Sequence, residues 1–112
     1  MLGTIVFDAD MPETALQYHL PCVALWRELE SPFELATALT NVGVDLLEIG
    51  EYVAARQAFE ECRDIFHSLG YQRGFATSIH NLGETAYKMG EYANARELLS
   101  ESLRIRQHLS LP

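Results

Sequence analysis

Residues 41–56 return, forty residues later, as residues 81–96. Asn41, Gly43, Gly50, Glu51, Tyr52, Ala55 and Arg56 are matched by Asn81, Gly83, Gly90, Glu91, Tyr92, Ala95 and Arg96. Across residues 36–69, twelve of 34 positions are identical forty residues on, the other five being Ala36, Thr37, Glu61, Ile65 and Leu69. A tandem repeat of this length demands an architecture in which successive copies stack through similar faces, each burying the apolar side of the next. The period also runs backwards, more faintly: Leu2-Gly3 precedes Val42-Gly43, and Ala15, Cys22, Leu25 and Leu29 precede Ala55, Cys62, Ile65 and Leu69. The expected organisation is one domain of one truncated copy (1–30) and two full ones (31–70 and 71–112), with Met1 falling in mid-unit. The expectation is therefore either a fragment of a longer protein or a chain whose open ends pair with another copy.

Each copy reads as two helices. Residues 1–8 have Leu2, Ile5 and Val6 at helical spacing; Thr4, Ile5 and Val6 also suit a strand, and only the repeat register argues for helix. Asp10, Pro12 and Glu13 form a helix-start signature, and the helix that follows is expected to reach about residue 30, kinked near Tyr18 to Pro21 because proline removes a backbone donor. Ser31-Pro32-Phe33-Glu34 is a capping box with proline preset at the first helical position. The helix after it carries a buried stripe of Leu35, Leu39, Val42, Leu46 and Ile49, and Gly50 ends it in a left-handed conformation. The next, from about residue 52 to 69, buries Ala55, Phe59, Cys62, Ile65 and Phe66 and stops at Gly70. The third copy repeats this with Phe75, Ile79, Leu82, Ala86 and Met89, then Ala95, Leu99, Ser102, Ile105 and Leu109. Connections of about three to five residues force antiparallel hairpins, so the fold class is an all-α solenoid of helical hairpins.

Sixteen acidic against eight basic residues give a formal charge of −8, which repels nucleic-acid phosphates. No stretch approaches the roughly 18 apolar residues of a membrane helix, and residues 1–10 lack a signal-peptide pattern, so a cytoplasmic location is the default. Cys22 and Cys62 occupy equivalent places in successive copies. Such places lie on the order of 10 Å apart in packed helices, beyond the roughly 7 Å Cα limit of a disulfide, so both read as reduced core thiols. His19 and Cys22 could make half a metal site, but they fall on positions expected in the core and no second pair follows. Gly-rich phosphate loops, nucleophile elbows and paired catalytic carboxylates do not occur. The chain reads as non-enzymatic, with no metal or cofactor.

The order of an apolar residue and Gly in the first helix, Gly-Glu-Tyr at the turn, and Ala then a large apolar residue in the second helix resembles the tetratricopeptide repeat. Leu39, Val42, Gly43, Leu46, Gly50, Tyr52, Ala55, Phe59 and Cys62 match its signature, as do Ile79, Leu82, Gly83, Ala86, Gly90, Tyr92, Ala95, Leu99 and Ser102. The first copy matches only at Leu2, Gly3, Val6, Ala15 and Cys22. The period of forty departs from the usual 34 and is similar to that of longer repeats in bacterial signalling ATPases and transcriptional regulators, in quorum-peptide-binding regulators and in animal spindle-orienting adaptors; the wording is most like the bacterial group. The resemblance implies a superhelical scaffold that binds a peptide or protein on its concave face, within a larger signalling or regulatory protein.

The signature has its own physics. Gly43 and Gly83 are expected to let the two helices of a hairpin approach, Ala55 and Ala95 to be small for the same reason, and Tyr52 and Tyr92 to bury a ring while keeping the hydroxyl bonded. Asn41 and Asn81 are open to two readings, a ligand contact or a bond to a neighbouring helix. The side of each first helix left free holds Thr4, Phe7 and Asp8 in the first copy, Thr37, Thr40, Val44, Leu47 and Glu48 in the second, and Thr77, His80, Glu84, Tyr87 and Lys88 in the third. Phe7, Leu47 and Tyr87 form one column. Flanked by Asp8, Glu48 and Glu84, it suits an apolar segment carrying Lys or Arg. Family members that grip chaperone carboxylate tails use basic residues of their first helices; Lys88 reads as the only one here, which argues against such a clamp. An alternative of another class is a self-associating scaffold without a groove ligand, a homo-oligomer through uncapped ends at Leu2, Ile5, Ile105 and Leu109.

Overall fold

A computed structural model describes residues 11–110, which form five α-helices: α1 (Pro12–Glu28), α2 (Pro32–Ile49), α3 (Tyr52–Ser68), α4 (Gln72–Lys88) and α5 (Tyr92–Ser110). Consecutive helices pack as hairpins, and α2 also touches α4 across the stack. The readings made for residues 1–10 and 111–112, Leu2, Ile5, Phe7, Asp8 and the Asp10 cap among them, lie outside the described residues.

The forty-residue repeat divides into two equal halves. Helices begin at residues 12, 32, 52, 72 and 92, and residues 30, 50, 70 and 90 have positive φ. At each of these turns the next residue's N–H reaches back five positions: Ser31 to the Trp26 carbonyl, Glu51 to Leu46, Tyr71 to Phe66 and Glu91 to Ala86, all at 2.9–3.1 Å. This bond satisfies a carbonyl that the helix end leaves orphaned, and it requires a left-handed residue just before it. Glycine supplies that residue three times, at φ 100, 70 and 83; the fourth is Glu30 at φ 53, which sequence reading placed at the end of a helix.

One local expectation changes. The Ser31 hydroxyl donates to Glu34 Oε1 (2.7 Å) and makes no bond to the backbone, so the box closes between side chains. Pro21 lies inside α1 and faces solvent, where the chain tolerates one missing helical bond.

The core is built on α3. Ala55, Phe59, Cys62 and Phe66 pack against Leu35, Ala36 and Leu39 of α2 and Leu82 of α4, with Trp26 and Val23 of α1 at the margin. Phe59 is fully buried, and its ring explains Gly43: a Cβ there would sit 2.4 Å from Phe59 Cε1. The expected close approach of backbones is thus an approach of α3's ring to α2's backbone. Gly83 yields in the same way to the Leu99 side chain, at 2.8 Å. A third such glycine, Gly74, escaped the sequence reading; a Cβ would stand 2.5 Å from Phe66 Cγ, so it admits α3's ring between successive hairpins.

Polar groups inside the stack are matched. Ser102 Oγ of α5 donates to the Ala76 carbonyl of α4 (2.8 Å), Ser78 Oγ donates to the Gly74 carbonyl (2.9 Å), and Cys62 Sγ lies 3.3 Å from Ser78 Oγ. Both thiols are free, Cys62 sealed and Cys22 half-buried, so only the former is a core thiol in full. His19, expected in the core, instead places Nδ1 2.7 Å from Oδ2 of Asp45, a carboxylate of α2 that is 5 % exposed. A buried carboxylate needs such a partner; the imidazole that looked like half a metal site is the one that ties α1 to α2.

Candidate functional site

The inner faces of α2 and α4 carry the free positions. Their threonines are turned into their own helices: Thr37, Thr40 and Thr77 donate to the carbonyls of Phe33, Ala36 and Arg73 at 2.9–3.1 Å, leaving the oxygens as acceptors. His80 Nε2 and Glu84 Oε2 pair along α4 at 3.3 Å.

Leu47 of α2 and Tyr87 of α4, one repeat apart in the sequence, line the same hollow, of about 440 Å³, together with Glu84, Lys88 and Leu99. Tyr87 is exposed and its ring meets Tyr92 at 5.3 Å. Tyr92 is 64 % exposed, contrary to the buried ring expected of it; it stands in the first turn of α5, and no later helix among the described residues covers it. Tyr52 is half-buried.

A second hollow, of about 190 Å³, opens toward the start of α4. Thr37, Thr40 and Asn41 line it from α2, with Phe66, Tyr71, Arg73, Gly74 and Thr77 opposite. Asn41 is exposed here, whereas Asn81, its repeat partner, is 8 % exposed. The two asparagines are therefore not equivalent: Asn41 is open to solvent and Asn81 is enclosed. Val44 is half-buried and packs on the core, and Glu48 is exposed.

Arg73 corrects the reading that Lys88 is the only basic residue on this face. It lies one turn before Thr77 on the same stripe of α4, upstream of where the repeat signature begins, and that displacement hid it. Of the self-association residues, Ile105 lines a hollow with Phe66, His67, Tyr71 and Phe75, and Leu109 lines one with Arg73 and Arg106.

Antiparallel helix pairs stacked at a fixed period, each locked by a glycine that receives a side chain from the facing helix, define a helical-hairpin repeat scaffold. Tetratricopeptide-repeat profiles match residues 1–68 and 75–110, and the chain belongs to the tetratricopeptide repeat family. Repeats of this family are non-catalytic and mediate protein–protein interaction. No curated protein and no solved structure matches the chain. Among the described residues no helix is long and apolar enough to cross a membrane.

Proposed function

We propose that this chain is a non-enzymatic interaction module, without a cofactor, that binds a peptide or protein segment along the inner faces of α2 and α4. The observation that carries this reading is the hollow shared by Leu47, Glu84, Tyr87 and Lys88. Its apolar walls, Leu47, Tyr87 and Leu99, suit a large apolar side chain, and the exposed Glu84 in its lining favours a segment that also carries Lys or Arg. The forty-residue period supports a place in a larger bacterial signalling or regulatory protein in the cytoplasm, and the charge of −8 argues against nucleic acid as the ligand. Panning a displayed random-peptide library against the folded chain tests the reading: clones should be enriched that lose binding to Leu47→Glu and Tyr87→Ala variants of unchanged helicity. Enriched clones indifferent to both substitutions would place the binding surface elsewhere.

A second reading, self-association, draws support from the exposure of Tyr87, Tyr92 and Leu103. Light scattering across protein concentrations tests it. Because Ile105 packs within its own fold, Leu103→Glu is the cleaner substitution; a mass that depends on concentration and falls to the monomer in that variant would support the oligomer.

A further inference from the structure

The two ends of the groove differ in charge, with arginines at one and Glu84 beside Lys88 at the other, and this bears on what lies in it and in which direction. The structure describes eight basic side chains in an acidic molecule. Arg27, Arg56, Arg63 and Arg104 each have a carboxylate within 4.0 Å. Arg73, Lys88, Arg96 and Arg106 have none among the described residues; of these, Arg73 and Arg106 converge on one hollow of about 240 Å³ with Thr77, Leu109 and Ser110, and no acidic side chain lines it. Arg73 is moreover the second residue of α4, where the positive end of the helix dipole disfavours a cation, and the first turn of α4 holds no acid to offset it. Two guanidinium groups brought to one hollow, Arg73 against the dipole of its own helix and neither with a carboxylate partner among the described residues, make a site for an oxyanion, which a planar guanidinium binds in bidentate fashion.

This hollow continues the groove, since Arg73 and Thr77 line both it and the hollow beside Asn41. At the other end of α4 stand Glu84, Lys88 and the Leu47–Tyr87 hollow. The eleven residues from Arg73 to Glu84 span about 16 Å at 1.5 Å per helical residue, the length of roughly five residues of extended chain.

We propose, building on the groove assigned above, that the ligand is a dipolar peptide segment: an apolar side chain and a Lys or Arg at the Tyr87–Glu84 end, and a carboxylate about five residues away seated between Arg73 and Arg106. The arginine pair sets the direction in which the segment lies and rejects segments that are basic throughout.

The test extends the library panning. Clones whose binding is lost in Tyr87→Ala should show Asp, Glu or the free C-terminus four to six residues from Lys or Arg, in one chain direction. Synthetic peptides of the best clones should bind an Arg73→Glu/Arg106→Glu double variant about five- to tenfold more weakly, and their affinity should fall with added salt. Replacing the peptide's carboxylate by an amide should weaken binding to the parent protein and strengthen binding to the double variant, whose two carboxylates then no longer repel it. Both arginines are exposed, so the fold is expected to survive, with helical circular dichroism as the check. Clones that need Tyr87 but show no acidic preference, or bind the double variant equally well, overturn the dipolar ligand and leave the groove standing. Panning that yields no clone dependent on Leu47 or Tyr87 overturns both.

Discussion

Glu30 is the residue that breaks its own pattern. It stands at φ 53 in a turn built, at three later repeats of the same twenty-residue step, around glycine. A left-handed conformation costs a residue with a Cβ about 1–2 kcal/mol, and glycine's greater freedom in the unfolded chain takes back roughly 0.5–1 of that. Glu30→Gly should therefore stabilise the chain by about 0.5–1 kcal/mol, read as a higher urea midpoint at unchanged slope. An unchanged midpoint would mean that the turn is not strained. The deviation was visible only once Glu30 was set against Gly70; read alone, Glu30 is an ordinary end to a helix.

Between elements, the junction of α3 with α4 rests on one ring entering one glycine. A Cβ at position 74 would collide with the buried Phe66 ring, which also meets Phe33 and Tyr71 edge-on and tilted at 6.0 and 5.5 Å. Gly74→Ala should destabilise by about 1–3 kcal/mol despite the gain of roughly 1 kcal/mol in helix propensity. The loss should shrink in a Phe66→Leu background, where the branched side chain can turn aside; denaturation of the four members of this double-mutant cycle measures the coupling, and simple additivity would refute it. At the next junction, Arg56 Nη2 meets Glu91 Oε1 at 2.7 Å, and that hydrogen bond, with a further one from Asn94, holds the Glu91 carboxyl below the ordinary value of 4.5. A depressed carboxyl contributes stability above its unfolded pKa and loses it as pH falls through its folded value. Stability should thus decline below about pH 4.5, and less steeply in Glu91→Gln; equal slopes in the two proteins would remove Glu91 from the account. These junctions also show how far the sequence could be read. Hairpins, turns and the Leu47–Tyr87 column follow from periodicity, because one copy interprets the other. Gly74, Asp45 and Arg73 have no such counterpart: forty residues away stand Glu34, Thr85 and Phe33, in that order. Each of the three is defined by a neighbour on another helix, Phe66 for the glycine, His19 for the aspartate and Arg106 for the arginine.

For the whole molecule, the concentration of the core on α3 means that stability is not shared evenly among the hairpins. Phe59→Ala should cost about 3–5 kcal/mol, a large part of the roughly 5–15 kcal/mol that holds a domain together. A thermal melt followed by circular dichroism should show the helices of all copies lost at a markedly lower midpoint; helicity of α4 and α5 surviving past the loss of α2 and α3 would show instead that the hairpins unfold separately. The same centre contains Cys62, fully buried, its thiol pushed up in pKa by that burial. Only a thiolate in contact with solvent reacts with an alkylating reagent. Cys62 is therefore a chemical clock: while Cys22, half-buried on α1, is consumed first, the rate at which Cys62 is capped counts how often the middle of the stack opens.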